Sequence, residues 1–343
     1  DWLPPEHPFP EIFDAPEIAI DVETCDPNLK SGGPGWPTKN GEVVGYAIAV
    51  PGWKGYFPVG HVGGGNMDAR QINKYLKKVF AAPGDKIMHN AQYDLGWIRA
   101  MGFEVNGRII DTMMTAALLD ENRFSYSLNA ICYDLLGKTK SEKTLVEAAR
   151  EFGVDPKGEM YKLPAMYVGP YAEVDAEITL ELWQHLKTLL TKEDLWDIWK
   201  LETSLLPHLV SMTELGIRID MDEAERSKQF LLQREKQTVR EIKKLAGNNV
   251  EIWAAASIAT AFDEAGLAYP KTDKGAPSFT KSFLADHPHK LPQLIMQARN
   301  LNKVHGTFLD SILKHVHNGR IHSHINQVRS SDGGTVSGRI SMN

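Results

Sequence analysis

The sequence predicts an α/β domain followed by a mostly helical one. Three observations carry that reading. Short β-branched runs alternate with amphipathic helical patterns through the first half. From Leu195 to Ala246 the chain is almost all helix former, with one turn signal at Gly216. The charge divides near the same place. Residues 1–199 carry 19 Lys and Arg against 29 Asp and Glu, and residues 200–343 carry 19 against 15. The halves stand at −10 and +4 within a net charge of −6, which points to different tasks for the two. The predicted domains are 1–195 and 196–343.

A length of 343 residues suits two domains. A composition of 42% hydrophobic and 24% charged residues excludes disorder, collagen-like repeats and coiled coil as the dominant architecture. There is no run of about 18 apolar residues, so no spanning helix is expected, and no membrane partner. Asp1–Pro5 has neither the basic start nor the apolar centre of a signal peptide, and without an initiating Met the natural N-terminus is expected upstream. Cys25 and Cys132 cannot form a disulfide framework and read as reduced thiols of a cytoplasmic protein.

The elements follow in order. Glu17–Glu23 reads as a strand, and a Gly/Pro-rich loop runs from Asp26 to Gly41. Val43–Val50 and Gly55–Val59 read as a hairpin turning at Pro51-Gly52. Asp68 is a plausible N-cap for an amphipathic helix to Phe80. Lys86–His89 is a short apolar strand and Tyr93–Met101 a helix. Thr112–Leu119 and Leu128–Leu136 read as helices, and 137–168 is polar and poorly periodic. Pro170 suits the first position of a helix reaching about Leu190. In the second half Leu291–Val316 is helical and Gly319–Val328 alternates like a strand.

Three local patterns concentrate carboxylates. Asp21 and Glu23 lie two apart at a strand end, so they project from one face, roughly 6.5–7 Å apart along the chain. Asp94 closes the run His89-Asn90-Ala91-Gln92-Tyr93-Asp94, just past another strand. Tyr171 and Asp175 are four apart and share a helix face. Each pattern alone is compatible with a solvated surface. Brought together, clustered carboxylates repel one another unless cations sit among them. Their oxygens suit hard divalent ions, Mg²⁺ or Mn²⁺. Two such ions about 3.5–4 Å apart can activate water and stabilise the leaving oxygen of a phosphodiester.

The order D-x-E, H-N-x-x-Y-D, Y-x-x-x-D resembles the DEDD superfamily of 3′→5′ exonucleases, which have a ribonuclease H-like fold. The tyrosine four before the last aspartate marks the tyrosine subgroup. The histidine subgroup would place His five before it, where this chain has Pro170. The resemblance implies a mixed sheet with flanking helices and two metal ions. Asp21 would bridge both metals, Glu23 and Asp175 would hold the one carrying the attacking water, and Asp94 the other, largely through water. Tyr171 would orient that water. With an ordinary pKa near 10 it is a poor base at neutral pH. Asn90 would contact the terminal nucleotide. The loop from Asp26 to Gly41 is longer than the family pattern leads one to expect, and Trp36 and Tyr93 are the candidates for stacking on the terminal base.

The resemblance continues into the second half. Leu205–Asp220 is similar to the segment that opens the polymerase region of A-family DNA polymerases, the class of bacterial DNA polymerase I. The helix over 222–245 carries Arg226, Lys228, Arg234, Lys236, Arg240, Lys243 and Lys244 and resembles the thumb. Gly275–Ser278 resembles the thumb tip. Gly319–His322 and Gly338–Ser341, with Arg339, resemble the first palm segment, which reads the primer–template minor groove. Interleaved Glu223, Glu225, Glu235 and Glu241 also allow a merely solvated face. Phosphate contact by Arg234, Lys236, Arg240 and Lys243 would be sequence-independent and salt-sensitive. The later palm aspartate, the fingers helix and the final aspartate–glutamate pair of a polymerase do not occur in these residues. The resemblance thus implies the proofreading half and thumb of a truncated polymerase, without primer extension.

The expectation is a monomeric exonuclease trimming a frayed or single-stranded 3′ end of DNA to nucleoside 5′-monophosphates, in a bacterial cell or phage-infected host. The alternatives are a ribonuclease D-like enzyme on RNA and a non-catalytic DNA-binding module. His315, His317, His322 and His324 form two H-x-H pairs, but alternation explains them without zinc.

Overall fold

Nine residues of strand β1, Glu17–Cys25, form the centre of a five-stranded mixed sheet. The computed structural model describes residues 2–329 and 333–342. Ile18, Ala19 and Ile20 are wholly buried, so both faces of β1 are covered, as a central strand requires. β2, Glu42–Val50, and β3, Trp53–Pro58, extend the sheet antiparallel on one side. Val50 pairs with Trp53, and Gly52 supplies the positive φ (83°) of the two-residue turn. On the other side β4, Asp85–Met88, and β5, Ile109–Asp111, run parallel to β1. The order β3-β2-β1-β4-β5 is the ribonuclease H-like arrangement.

The helices between these strands are α1 (Leu29–Gly32), α2 (Ala69–Ala81), α3 (Ala91–Ala100) and α4 (Thr112–Leu119). After them come α5 (Leu128–Leu136), α6 (Lys143–Phe152), α7 (Ala165–Lys192) and α8 (Trp196–Leu215). Asp68 caps α2 by accepting from the N–H groups of Arg70 and Gln71, as its position predicts.

The two sheet faces differ. Ile18, Ile20, Val22, Tyr46, Ile48 and Phe57 pack with α2, α3 and residues Leu206 and Val210 of α8. Ala19, Ala47 and Ala49 face the other way, where Ala172 and Ala176 of α7 join the same core. Small side chains on both partners admit α7 close to the sheet. Period two then puts Asp21 and Glu23 on that same α7-facing side.

Four differences from the sequence expectation have physical causes. First, α7 begins at Ala165, so Pro170 is an interior residue. The early start is supported from outside the helix, because the Ala165 N–H donates to the Gly64 carbonyl at 3.0 Å. Second, α6 occupies part of the stretch expected to be irregular. Its buried face, Leu145, Ala148 and Ala149, has helical i, i+3, i+4 spacing, a signal present in the sequence but passed over within a polar stretch. Third, the three-residue β5 is too short for period two to mark it. Fourth, the strand expected over 319–328 is two pieces, β7 (Arg320–Ile321) and β8 (Ile325–Asn326). They pair with different partners: β7 with β6 (Ile217–Arg218), and β8 with β9 (Ser341–Met342).

The chain divides into two compact units, Asp1–Gly216 with His322–Asn343, and Ile217–Ile321. The division lies at Gly216 rather than after residue 195 because α8 is buried in the first unit. Trp199 stacks on Trp183 at 5.3 Å between ring centroids, and its indole N–H donates to Thr115. Burying one such side chain is worth on the order of 2–3 kcal/mol. The second unit holds α9 (Met221–Ala246), α10 (Ala255–Glu264), α11 (Lys281–Asp286) and α12 (Lys290–Lys303). A π-helical turn, Val304–Leu309, then leads into α13 (Asp310–His315). Its core gathers Ile242, Phe262, Phe279, Leu291 and Ile295. Among the described residues no helix is long and apolar enough to cross a membrane.

Candidate carboxylate active site

The site is assembled from β1, the start of α3 and the second turn onward of α7. Asp21 and Glu23 lie opposite Ala47 and Gly45 of β2, and the register shifts between Glu23 and Thr24. Such a bulge re-aims the strand beside the site. Gly45 is required here. A Cβ would stand 1.9 Å from the hydroxyl of the wholly buried Tyr56, which is bonded to His61 Nε2 at 2.6 Å. Glu173 of α7 accepts from the Tyr56 N–H at 3.0 Å and from Trp2 Nε1 at 2.9 Å, fastening the helix to β3.

Asp94 is 3% exposed in the first turn of α3. Its Oδ1 accepts from the Val22 N–H at 3.0 Å, which fixes it between the positions of Asp21 and Glu23. The start of α3 is held by a residue that no sequence pattern singled out. Asp111 accepts from the N–H groups of Asn90 and Ala91, both at 3.0 Å, and from that of Met113 at 2.9 Å. One buried carboxylate thus caps both α3 and α4. A signal for it exists: an aspartate stands immediately before a predicted helix start at Thr112. Asn90 sits at φ 67°, a left-handed conformation that asparagine tolerates. It borders a polar cavity of about 360 Å³ lined also by His89, Gln92, Tyr126, His324 and Gln327. His89 is fixed by Thr112 Oγ1 at 2.8 Å and the Tyr126 carbonyl at 2.9 Å. Burial pulls its pKa down to about 4, so it is neutral at pH 7.

Tyr171 and Asp175 share the α7 face, as their spacing predicts. Between them stands Lys140, a second residue missed from the sequence because it lies in the polar stretch after α5. Its Nζ donates to both Asp175 oxygens, at 2.6 and 2.7 Å, and to the Tyr171 hydroxyl at 2.7 Å. It also lies 4.0 Å from the Tyr171 ring centroid.

The electrostatics show that these acids share one site. Burial pushes Asp21 up to about 8, and the Asp175 charge adds to this against the pull of Lys140. Burial, then Asp21 and Asp175, hold Glu23 well above the usual range. Burial and Asp21 do the same to Asp94, opposed by the Val22 N–H. Asp175 is raised by burial, with Lys140 pulling the other way. The Tyr171 hydroxyl is pushed up by burial and by Asp175, and stays protonated at neutral pH. Among the described residues no three His, Cys, Asp or Glu stand as a ready metal-binding group. The donor set still fits hard cations in kind: among the described residues these four carboxylates have one ammonium bonded to them, that of Lys140 on Asp175.

The expected stacking residues fare differently. Trp36 is 3% exposed, and its ring lies so close to Gly96 that a Cβ there would stand 2.3 Å from it. It is a core residue, which corrects the expectation that it stacks on a base. The Tyr93 hydroxyl contacts Thr24 Oγ1 at 2.7 Å and donates to Asp26 at 3.1 Å. Asp26 in turn accepts from the Gly35 N–H, so Tyr93 anchors the base of the 26–41 loop.

In the second unit Arg234, Lys236, Arg240 and Lys243 are exposed on α9. At 3.6 residues per turn, Lys236, Arg240, Lys243 and Lys244 fall within about 100° of arc, while Arg234 lies outside that stripe. Glu235 is withdrawn on the inner side, paired with His305 and accepting from Asn302 Nδ2 at 3.0 Å. Arg339 is exposed, and its carbonyl accepts from Thr335 Oγ1 at 2.8 Å.

A ribonuclease H-like sheet bearing a buried acidic cluster defines the class of the first unit. Comparisons with known proteins define it further. Residues 37–191 match the family model described as 3'-5' exonuclease, and residues 221–343 that of DNA polymerase family A. The chain thus carries a 3'-5' exonuclease domain and a segment of DNA polymerase family A. Asp94, Tyr171 and Asp175 lie inside the first match, and Asp21 and Glu23 precede it.

Among the relatives, a DNA-directed DNA polymerase of Pseudomonas phage M6 is 34% identical over 99% of this chain and 54% of its own length. A DNA polymerase DpoZ of Acinetobacter phage SH-Ab 15497 is 31% identical over 97% of this chain and 55% of its own. A DNA polymerase I of Chloroflexus aurantiacus is 28% identical over 88% of this chain and 32% of its own. The chain spans about half the length of the phage relatives it matches. In fold it is similar to the POL domain of Pol1 from M. smegmatis, solved with DNA primer-template and dNTP. The TM-score is 0.72 at 17% identity, over 97% of this chain and 52% of that one.

Proposed function

We propose that the first unit is a two-metal 3′→5′ exonuclease that trims unpaired 3′ ends of DNA, the proofreading part of a family A DNA polymerase. One observation carries the reading: Asp21, Glu23, Asp94 and Asp175 converge from three elements beside the Tyr171 hydroxyl, and burial, with another's charge added to it, pushes up each of the first three. Asp21, Glu23, Asp94 and Asp175 would hold the two ions. When bound, Mg²⁺ or Mn²⁺ supplies Lewis-acid polarisation of the phosphate and activation of water.

The protein's own groups do the positioning. Val22 and Asp111 hold Asp94 and the Asn90 backbone in place through backbone hydrogen bonds, so Asp94 need not reorganise. Tyr171, protonated at neutral pH, orients water rather than taking its proton. Asn90, which lines a polar cavity, would meet the last nucleotide. An unpaired end enters more easily than a paired one, because pairing and stacking are not first given up. On α9 the basic stripe fits sequence-independent contact with DNA phosphates.

The test is a 5′-labelled oligonucleotide followed on a gel in Mn²⁺. A ladder shortening from the 3′ end, abolished by chelator and slower on a matched duplex, is expected. Loss of the labelled 5′ nucleotide, or cleavage of a circular strand, overturns the proposal. An RNA oligonucleotide cut faster than its DNA counterpart overturns the substrate assignment.

A further inference from the structure

We propose that Lys140 is the resident counter-ion of the carboxylate cluster, and that a divalent cation gains Asp175 only by displacing it. The inference rests on the two-metal reading and concerns how that site is filled.

An ammonium has three donors. In Lys140 two go to the two oxygens of Asp175 and one to the Tyr171 hydroxyl, and the side chain is 6% exposed. The loop between α5 and α6 is tethered on both sides of Lys140. Lys138 ion-pairs with Glu181 of α7, and Glu142 accepts from Asn129 Nδ2 at 2.9 Å. The presentation of Lys140 is therefore built into the fold. A buried ammonium is tolerated only when paired, and a buried carboxylate cluster needs a cation. Each satisfies the other while no metal is bound.

The same geometry blocks a metal. Both Asp175 oxygens are already used, and a cation bound to either would lie against a like charge at hydrogen-bond range. The Tyr171 hydroxyl, the group assigned to water, also faces the ammonium. Metal binding and release of Asp175 by Lys140 are thus one exchange. Lys140 offsets part of the cluster's charge and sets how much cation is needed to take Asp175 from it.

The experiment is calorimetric titration of the whole chain with MnCl₂ in the absence of DNA, for the wild type, Lys140→Met, Lys140→Arg and Asp21→Ala. Lys140→Met is expected to bind Mn²⁺ about tenfold tighter than wild type, the order that removal of a like charge is worth at a partly screened site. Lys140→Arg should stay near wild type. Without metal, Lys140→Met should melt below wild type, and Mn²⁺ should raise its melting temperature by more. Mn²⁺ affinity in Lys140→Met equal to or weaker than wild type overturns the proposal.

Should Lys140→Met not fold, a crystal of the wild-type chain soaked in Mn²⁺ decides. Lys140 Nζ off Asp175 with Mn²⁺ on it supports the exchange, and Nζ still on both oxygens beside bound Mn²⁺ overturns it. The two readings fail separately. Wild type and Asp21→Ala that both ignore Mn²⁺ overturn the two-metal site itself. Wild type that binds Mn²⁺ where Asp21→Ala does not, with Lys140→Met unchanged, overturns only the role of Lys140.

Discussion

The carboxylate site and the basic stripe of α9 are both concentrations of like charge, yet they are built in opposite ways. At the site the charges are withdrawn from water, and several are fixed by bonds from other elements: Asp94 by Val22, Asp111 by four backbone N–H groups, Asp175 by Lys140. On α9 the side chains of Lys236, Arg240, Lys243 and Lys244 are exposed to water. A site of the first kind answers to the position of single atoms, and its members fail as a unit. A surface of the second kind answers to the number of charges, and its members act nearly independently.

The largest effect tests the first half of that contrast. Asp21→Ala or Asp175→Ala should lower cleavage of single-stranded DNA by about three orders of magnitude or more, since each removes a ligand on which the cluster depends. Circular dichroism of Asp21→Ala should remain that of the wild type, while Asp175→Ala, which leaves the buried Lys140 without its carboxylate, should also melt earlier. Combining the two should cost little beyond either alone, and additive losses would break the idea of a unit.

Tyr171→Phe comes next. It keeps the ring that packs beside Lys140 and removes only the hydroxyl. Loss of one orienting hydrogen bond is worth about 2–4 kcal/mol in such a site, or roughly 30- to 1,000-fold in rate. A loss as deep as that of Asp175→Ala would mean that the hydroxyl does more than orient water.

A third expectation concerns pH. An acid whose pKa is raised on folding holds its proton longer when folded. Between its unfolded and folded values the native state binds more protons, so stability falls as pH rises. Asp21, raised from 3.8 to about 8, spans that window, and Glu23 and Asp94 shift the same way. The buried His61 and His89, pulled to about 4, act in the opposite direction below about 6.5, and Lys86, pulled by burial to about 8, does so at the upper end of the range, offsetting part of the loss. From pH 6.5 to 8, without divalent metal, the chain should therefore lose about 1 kcal/mol or more per pH unit, read from urea midpoints. Asp21→Asn should flatten the slope, and a wild-type slope near zero would break the assignment.

The contrast also explains what is legible in the sequence. Period two in a strand puts Asp21 and Glu23 on one face and four-residue spacing puts Tyr171 and Asp175 on another, whereas Asp94 is legible only through the run His89–Asp94 that resembles the exonuclease motif. Lys140 is not legible, since it reaches the site from a loop whose path is set by tertiary tethers rather than by periodicity. Trp36 misleads for a related reason: composition marks an aromatic but does not say whether its ring meets Gly96 or water. Asp111 lies between the two cases, a legible cap whose second duty, to α3, depends on the parallel pairing of β4 with β5. The fold is readable where elements are long. Legibility fails at the three-residue β5 and at the true start of α7, which is fixed by a carbonyl about a hundred residues away in the chain.

The smallest expected effect separates the sequence pattern on α9 from its geometry. Arg234, Lys236, Arg240 and Lys243 are equivalent as a run of basic residues along one helix. On the folded helix Lys236, Arg240 and Lys243 form a stripe with Lys244, and Arg234 lies on the far side of an arc of about 100°. If the stripe meets DNA phosphates, each charge that pairs with a phosphate releases condensed counterions. Removing one such charge lowers the slope of log K against log salt by about 0.9 on duplex DNA. Lys236→Ala, Arg240→Ala or Lys243→Ala should each weaken duplex binding by a few fold at about 0.1 M salt and flatten that slope by about one unit, whatever the sequence bound. Arg234→Ala should leave both quantities within error of the wild type. Fluorescence anisotropy across a salt series reads both. An Arg234→Ala slope change equal to the others would mean that the whole helix circumference, rather than one stripe, approaches the nucleic acid. No change in any of the four would leave the stripe a solvated face.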